Sequence, residues 1–180
     1  EEVKAPVYAP NLTANLIEDM IEQHNNHNHT RIQLDLHRVK RDADIEIDGV
    51  PVSFFPLTHS IPGSVGVAIH TTQGALVYTG ESIIDFGAPE GFRSNLQKMM
   101  DIGKSGVLAL FVESSYASKD GYTSPNHKLT SKIEPIFEDA QGRIIISAYA
   151  QNIFRIREII ELTRKYQRRL VLYGRNKHDN

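Results

Sequence analysis

The strongest constraint on this chain's fold is a change of period along it. Between residues 32 and 79, apolar and polar side chains alternate in short runs broken by tight turns. After residue 126 the pattern becomes that of helices separated by continuously apolar runs. The first pattern belongs to antiparallel strands with one face toward a core, and the second to strand–helix–strand units of a parallel sheet. A chain with both in succession is expected to be α/β (α+β) and to contain two units.

The first region supplies strands at 32–39, 44–48, 50–58, 65–71 and 75–79. Asp48-Gly49 reads as a hairpin turn, and Thr72-Gln73-Gly74 joins the last two strands. Upstream, residues 5–9 read as a strand ending at Pro10. Leu12, Leu16, Ile17, Met20 and Ile21 define a helix over 11–24, with Asn11 as candidate cap. The segment QHNNHNHT that follows reads as a polar loop. Downstream, 92–102 is expected to be helical, and the run GVLALFV (106–112) to be a strand covered on both faces. Residues 114–126, rich in Ser, Gly and Pro, mark the boundary. Beyond them come a helix at 128–139, a buried strand at 143–150, an amphipathic helix at 152–166 and a second strand at 168–174. Ligands of such units bind at the carboxyl ends of the strands.

Composition narrows the chemistry. The length of 180 residues allows one domain or two incomplete ones. Cysteine is absent, so thiol nucleophiles, disulfides and Cys-based zinc sites are excluded. Any metal must be held by His, Asp or Glu, and eight histidines are present. No apolar run is long enough for a membrane span. Net charge is −2, yet residues 151–180 hold eight Lys/Arg against three Asp/Glu, leaving twelve against nineteen in the remainder. The basic segment follows an acidic body, which again points to two units. The chain opens without Met and within a strand-like run, as a fragment would.

Five places can carry chemistry. His59 ends a long apolar strand and precedes Ser-Ile-Pro-Gly, a rigid turn that presents it at a sheet rim. It serves there either as a metal ligand or as a partner of the loop backbone. Glu81 follows another strand end in Thr-Gly-Glu; paired with an imidazole it suits zinc or a hard divalent cation. The alternative is a solvated turn carboxylate. Glu113, followed by Ser114 and Ser115, can orient a ligating His or cap a loop. His24, His27 and His29 have metal-like spacing but lie in the polar loop. His37, His70, His127 and His178 have no partner visible in sequence. Gln151, Asn152 and Arg155 stand where a strand feeds a helix N-terminus, a place that favours phosphate. Arg164, Lys165, Arg168 and Arg169 read as a solvated basic face or as a track for an RNA backbone.

The stretches THSIPGSVGVAIHTTQGALVYTGE (58–81), GYTSPNHKL (121–129), GRIIISAYAQNIFR (142–155) and PVYAPNLTANLIE (6–18) together resemble the ribonuclease J family. That family forms the β-CASP branch of the metallo-β-lactamase superfamily. The resemblance implies part of a metallo-β-lactamase αβ/βα sandwich over 1–118 and the start of a Rossmann-like β-CASP domain over 119–180. It implies a cytoplasmic two-zinc hydrolase of RNA phosphodiesters, acting in RNA processing and decay as an exo- and endonuclease. It further implies a homo- or hetero-oligomer with a ribonuclease J paralogue and no membrane attachment.

By resemblance, His59 matches the family's metal-binding His, Gln151 stands at the position whose usual Ser helps with the RNA 5′ phosphate, and Asn152 and Arg155 match the family's pattern beside it. Glu81 and Glu113 stand where Asp is usual, Ser114 follows as expected, and Gln151 replaces a common Ser. The resemblance implies that the superfamily's double-His motif, absent from these 180 residues, is expected before the chain's start, and the later β-CASP motif beyond its end. The pattern is similar to that of the weakly active paralogue found in Gram-positive bacteria. This chain by itself is therefore expected to be inactive, with a non-catalytic subunit of an active paralogue as the alternative.

Overall fold

The computed structural model describes residues 5–115, 117–121 and 128–174. The chain forms two compact units, Glu1–His127 and Lys128–Asn180.

The first unit begins with a parallel pair, β1 (Val7–Pro10) and β2 (Leu36–Val39), linked by helix α1 (Asn11–Asn28). Arg38 on β2 holds the helix by donating to Asn15 Oδ1 at 2.7 Å and Glu18 Oε2 at 2.6 Å. The helix runs past residue 24, through most of the Asn/His segment expected to be a loop. The physical reason is its stop signal. His29 adopts a left-handed conformation at φ 53°. Asn25 then fastens the exit: its Oδ1 accepts from Thr30 Oγ1 and Ile32 N, and its Nδ2 donates to the Ile32 carbonyl. His24 and His27 are thus helical. Asn11 is the first helical residue, and Pro10 occupies the cap position without a side-chain bond. The alternation at 32–35 does not become strand; pairing with β1 starts at Leu36.

A five-stranded sheet follows in the order β3 (Asp44–Ile47), β4 (Val50–Pro56), β5 (Val65–Thr71), β6 (Gly74–Tyr78) and β7 (Val107–Phe111). The first four strands are antiparallel neighbours and β7 joins β6 in parallel. Asp48-Gly49 makes the β3–β4 turn with φ of 50° and 80°, the left-handed pair that matches strand twist. Helix α2 (Leu96–Lys104) lays Ile102 and Met99 on a core of Phe55, Leu57, Ala68, Ala75 and Val77. Gly66 opposes Phe55 in the ladder, and a Cβ there would stand 2.3 Å from Phe55 Cζ. A bare backbone is what lets the ring lie flat on the sheet.

Helix α2 starts later than the expected residue 92, because 92–94 are otherwise engaged. Phe92 is buried, Arg93 Nε donates to the Ala88 carbonyl, and Ser94 bonds Thr58. Asn95 then caps the helix by accepting from Lys98 N at 3.0 Å.

Strand β7 corrects a second expectation. It forms where the apolar run predicts, but Leu108, Leu110 and Phe111 are each more than half exposed. It pairs only with β6 among the described residues, and α2 covers the sheet's core rather than this edge.

The second unit packs α3 (Thr130–Asp139) against α4 (Ile153–Lys165), with Phe137, Phe154 and Leu162 buried. The strands expected at 143–150 and 168–174 do not form. Ile145, Val171, Leu172 and Tyr173 are exposed, and neither run pairs among the described residues. A strand exists through its ladder, and two strands alone are marginal in water. The apolar runs therefore carry no strand ladder among the described residues.

Candidate active-site rim

Strands β4, β6 and β7 run in the same sense, because the two antiparallel steps from β4 to β6 reverse direction twice and β7 is parallel to β6. Their carboxyl ends share one rim of the sheet. His59 follows β4, Glu81 follows β6 and Glu113 follows β7. Three residues separated by up to 54 positions are thus placed on one edge by topology alone.

Two of them meet. His59 Nε2 lies 3.4 Å from Glu81 Oε2. The imidazole is about three-quarters buried, at 26% exposure, and the carboxylate is open to solvent at 74%. The His59 backbone is anchored through its neighbour. Thr58 is fully buried, its N–H donates to Ser94 Oγ at 2.9 Å, and its Oγ1 accepts from Ser94 N at 3.1 Å. Thr58 also bridges Ile83, whose N–H donates to the Thr58 carbonyl at 3.0 Å. The loop back to β5 is closed by Leu57 N on the Ser64 carbonyl, and by Ser64 Oγ on the Ile61 carbonyl. On the Glu81 side, Thr79 N donates to the Phe111 carbonyl at 3.1 Å, tying the end of β6 to β7. Both members of the pair therefore emerge from fixed backbone.

Glu113 turns inward on its own loop. Its Oε1 accepts from Ser115 N at 2.7 Å. The Ser115 hydroxyl and backbone N–H together hold the Glu113 carboxyl below its usual range. The Ser114 carbonyl accepts from Ala117 N at 3.0 Å. Among the described residues no three His, Asp or Glu side chains converge as a metal cluster. His24 bonds Asn28 within α1, and His37 stacks on Tyr8 beside Asp35. His70 bonds Ser53 at 2.8 Å on the core face. His127 and His178 lie outside the described residues, as does much of the 121–129 stretch.

In the second unit Asn152 caps α4, accepting from Arg155 N at 3.0 Å. Gln151 is exposed beside it. The Arg155 guanidinium pairs with Glu158, which is only 4% exposed. Glu158 also accepts from Leu129 N, Thr130 N and Thr130 Oγ1 at 3.0, 3.1 and 2.6 Å. Arg168 caps the end of α3 through the carbonyls of Ala140 and Gly142. Lys165 pairs with Glu134, which raises the lysine's pKa. Of the four basic residues at 164–169, two are thus tied to α3 instead of forming a free track.

Sequence reasoning missed Ser94 and Glu158. Ser94 is 36 residues from Thr58 and carries no local signal. Glu158 does carry one, its i,i+3 spacing from Arg155.

No family model matches the chain. Ribonuclease J 2 of Staphylococcus saprophyticus is 38% identical over 176 residues, covering 98% of this chain and 31% of the relative. Ribonuclease J 2 of Staphylococcus aureus is 35% identical over the same share of each. A crystal structure from Enterococcus faecalis V583, described as a protein of unknown function, matches with a TM-score of 0.62 at 16% identity. It covers 87% of this chain and 39% of that one, and that likeness shows the α/β fold alone. By sequence, then, the chain is a relative of ribonuclease J across nearly all its length, and it spans 31% of the length of the curated relatives it matches.

Proposed function

We propose that the chain is part of a metal-dependent hydrolase of RNA phosphodiesters, acting in RNA processing and decay in the cytoplasm. Residues 1–118 contribute to its metallo-β-lactamase domain and 119–180 begin its β-CASP domain. The observation that carries this reading is the His59–Glu81 pair on the strand rim, in a chain 35–38% identical to proteins named ribonuclease J 2. An imidazole and a carboxylate 3.4 Å apart are a donor set that zinc accepts.

His59 and Glu81 would hold the metal from one side, with further donors supplied from elsewhere. Bound zinc would supply Lewis-acid stabilisation of the charge developing on the scissile phosphate. His59 would offer its Nε2 lone pair and Glu81 a carboxylate oxygen, the two atoms that face each other at 3.4 Å. Glu113, held by Ser115, would fix the neighbouring loop. Asn152, Gln151 and the N-terminus of α4 would receive an RNA phosphate. Arg155 would act there mainly by fixing that helix end through Glu158.

The test is metal analysis and cleavage of 5′-monophosphorylated RNA by the longer protein that contains this chain. Two zinc ions and cleavage are expected, and finding neither overturns the reading. The 180-residue chain by itself, with two converging donors, should bind zinc poorly and cut no RNA. Stoichiometric zinc in it would refute that expectation.

A second reading is favoured by one observation: Glu stands at both 81 and 113, where the family usually has Asp. An added methylene moves a carboxylate by about an ångström, in sites that tolerate only ~0.2 Å. On this reading the protein is a non-catalytic subunit that tunes an active paralogue. Activity of the complex would then survive Glu81→Ala and vanish when the partner's metal ligands are removed.

A further inference from the structure

The loop that joins β6 to α2 is tied near both its ends to Thr58, the residue before His59. Ile83 N donates to the Thr58 carbonyl at 3.0 Å. Thr58 N donates to Ser94 Oγ at 2.9 Å, and Ser94 N to Thr58 Oγ1 at 3.1 Å. A third tie reaches the turn after His59, where Gly63 N donates to the Gly91 carbonyl at 3.4 Å. A compact loop with joined ends has the form of an Ω-loop, a class that is frequently functional. Inside it Ala88 and Phe92 are buried, Asp85 Oδ1 accepts from Gly87 N at 2.8 Å, and Phe92 N donates to the Pro89 carbonyl at 3.0 Å. Residues 83–94 are therefore braced backbone, fastened on both sides of His59.

On this loop the usual exposures are inverted. Asp85 is 6% exposed, whereas its neighbours Phe86 and Ile84 are 77% and 56% exposed. A carboxylate favours water and a phenyl ring favours cover, so the loop holds in solvent the side chain that gains most from a partner. Arg93 stands on the same braced backbone and is exposed. Its Nε donates to the Ala88 carbonyl at 2.7 Å, two residues along from Phe86. That bond uses one of the five guanidinium donors. A ring and a guanidinium presented from one fixed loop meet the two parts of a single-stranded nucleic acid: bases stack on aromatic faces, and phosphates pair with guanidinium. The loop's ties to Thr58 and Gly63 make it continuous with the His59–Glu81 pair, so its occupant is the substrate of that pair.

We propose that Phe86 and Arg93 form a substrate subsite, in which Phe86 stacks on one base of a single-stranded RNA and Arg93 pairs with a phosphate of the same strand. The inference rests on the reading of His59 and Glu81 as part of an RNA hydrolase. Every base has a π-face, so the subsite adds affinity without sequence preference. Its two residues are neither of the proposed metal ligands, and its contacts with RNA need no metal.

The test is binding of a single-stranded oligoribonucleotide to the longer protein that contains this chain, read by fluorescence anisotropy in EDTA so that binding is separated from cleavage. Phe86→Ala should weaken binding by about tenfold or more, Phe86→Leu nearly as much, and Phe86→Trp should keep it, because stacking needs a ring. An abasic nucleotide walked along the strand should at one position cost the native protein affinity and cost Phe86→Ala none. Arg93→Met should lower the slope of log affinity against log salt by about 0.7, and Phe86→Ala should leave that slope unchanged. Phe86→Ala should also melt within about 2 °C of the native protein, since its ring stands in water. A large fall in melting temperature would show that another part of the longer protein covers the ring, and would overturn the proposal. Equal RNA binding by the native protein, Phe86→Ala and Phe86→Leu would overturn it as well, and so would no RNA binding at all. Zinc content and cleavage, measured separately, decide the functional reading. Cleavage by the native protein with RNA binding unchanged in Phe86→Ala would sink this inference alone.

Discussion

The ion pairs His59–Glu81 and Arg155–Glu158 each contain candidate site residues, and their surroundings differ sharply. His59–Glu81 lies on a strand rim, with a solvent-exposed carboxylate that pairs, among the described residues, with the imidazole at 3.4 Å. Arg155–Glu158 is buried, and its carboxylate also accepts two backbone N–H groups and a hydroxyl from the start of α3. Among the described residues neither side chain of the first pair makes a further hydrogen bond or ion pair. The second has spent its acceptors on joining α3 to α4. The lesson is that residue type does not separate a reactive pair from a structural one. What separates them is how many of each group's bonding directions the fold has already used.

The sharpest way to break this comparison is to remove the buried carboxylate. Glu158→Ala takes the carboxylate away from Arg155, Leu129 N and the two Thr130 donors at a buried position, and should cost about 3–5 kcal/mol in urea denaturation of the second unit. A change below about 1 kcal/mol would mean the network is as expendable as an exposed pair. Next in size is Thr58→Val. It keeps the shape but deprives Ser94 of the Thr58 Oγ1 partner at a fully buried position, and should cost about 1–3 kcal/mol. It should also loosen the His59 backbone, read as faster amide hydrogen exchange at Ile83, whose N–H bonds the Thr58 carbonyl. Asn152→Ala removes the side-chain cap of α4 and should cost about 1 kcal/mol in the same denaturation.

The two regions also differ in how much of them the sequence discloses. The antiparallel strands β3 to β6 each carry their partner a few residues away. Alternation and the Asp48-Gly49 turn therefore fix their positions and register. The juxtaposition of His59 and Glu81 follows from that register and is legible in the sequence. The runs at 143–150 and 168–174 are equally apolar, but a parallel strand needs a distant partner that local pattern cannot name. They remain unpaired among the described residues. The exposed faces of β7 have the same origin: an apolar run says that a face wants cover, not what covers it. The Asn/His segment fails for another reason. Its helix is continued by Asn25, whose side chain closes the turn after the helix, a role that residue preference alone would give to a loop.

An acid titration tests a third pair that lies between the two extremes. Lys98 Nζ bonds Asp44 Oδ1 at 2.8 Å at the entrance to α2, with the lysine largely buried and the aspartate 69% exposed. The Lys98 hydrogen bond, then that of Ser53, holds the Asp44 carboxyl below its ordinary range. A carboxylate with a depressed folded pKa stabilises the fold above its unfolded pKa of about 3.9 and loses that contribution as pH falls through the folded value. Denaturation midpoints of the native chain and Asp44→Asn should therefore differ at about pH 7 and converge toward about pH 2. Because the carboxylate is mostly in water, screening keeps the difference to a few tenths of a kcal/mol, about the low end for exposed pairs.

Glu81→Ala should be smaller still. It removes a carboxylate that is 74% exposed and whose ion pair is with His59 alone among the described residues, so the midpoint should move by less than about 0.5 kcal/mol at any pH between about 5 and 8. A loss comparable to that of Glu158→Ala would show that the rim pair is structural, and would remove the contrast on which the reading of His59 and Glu81 as available donors depends.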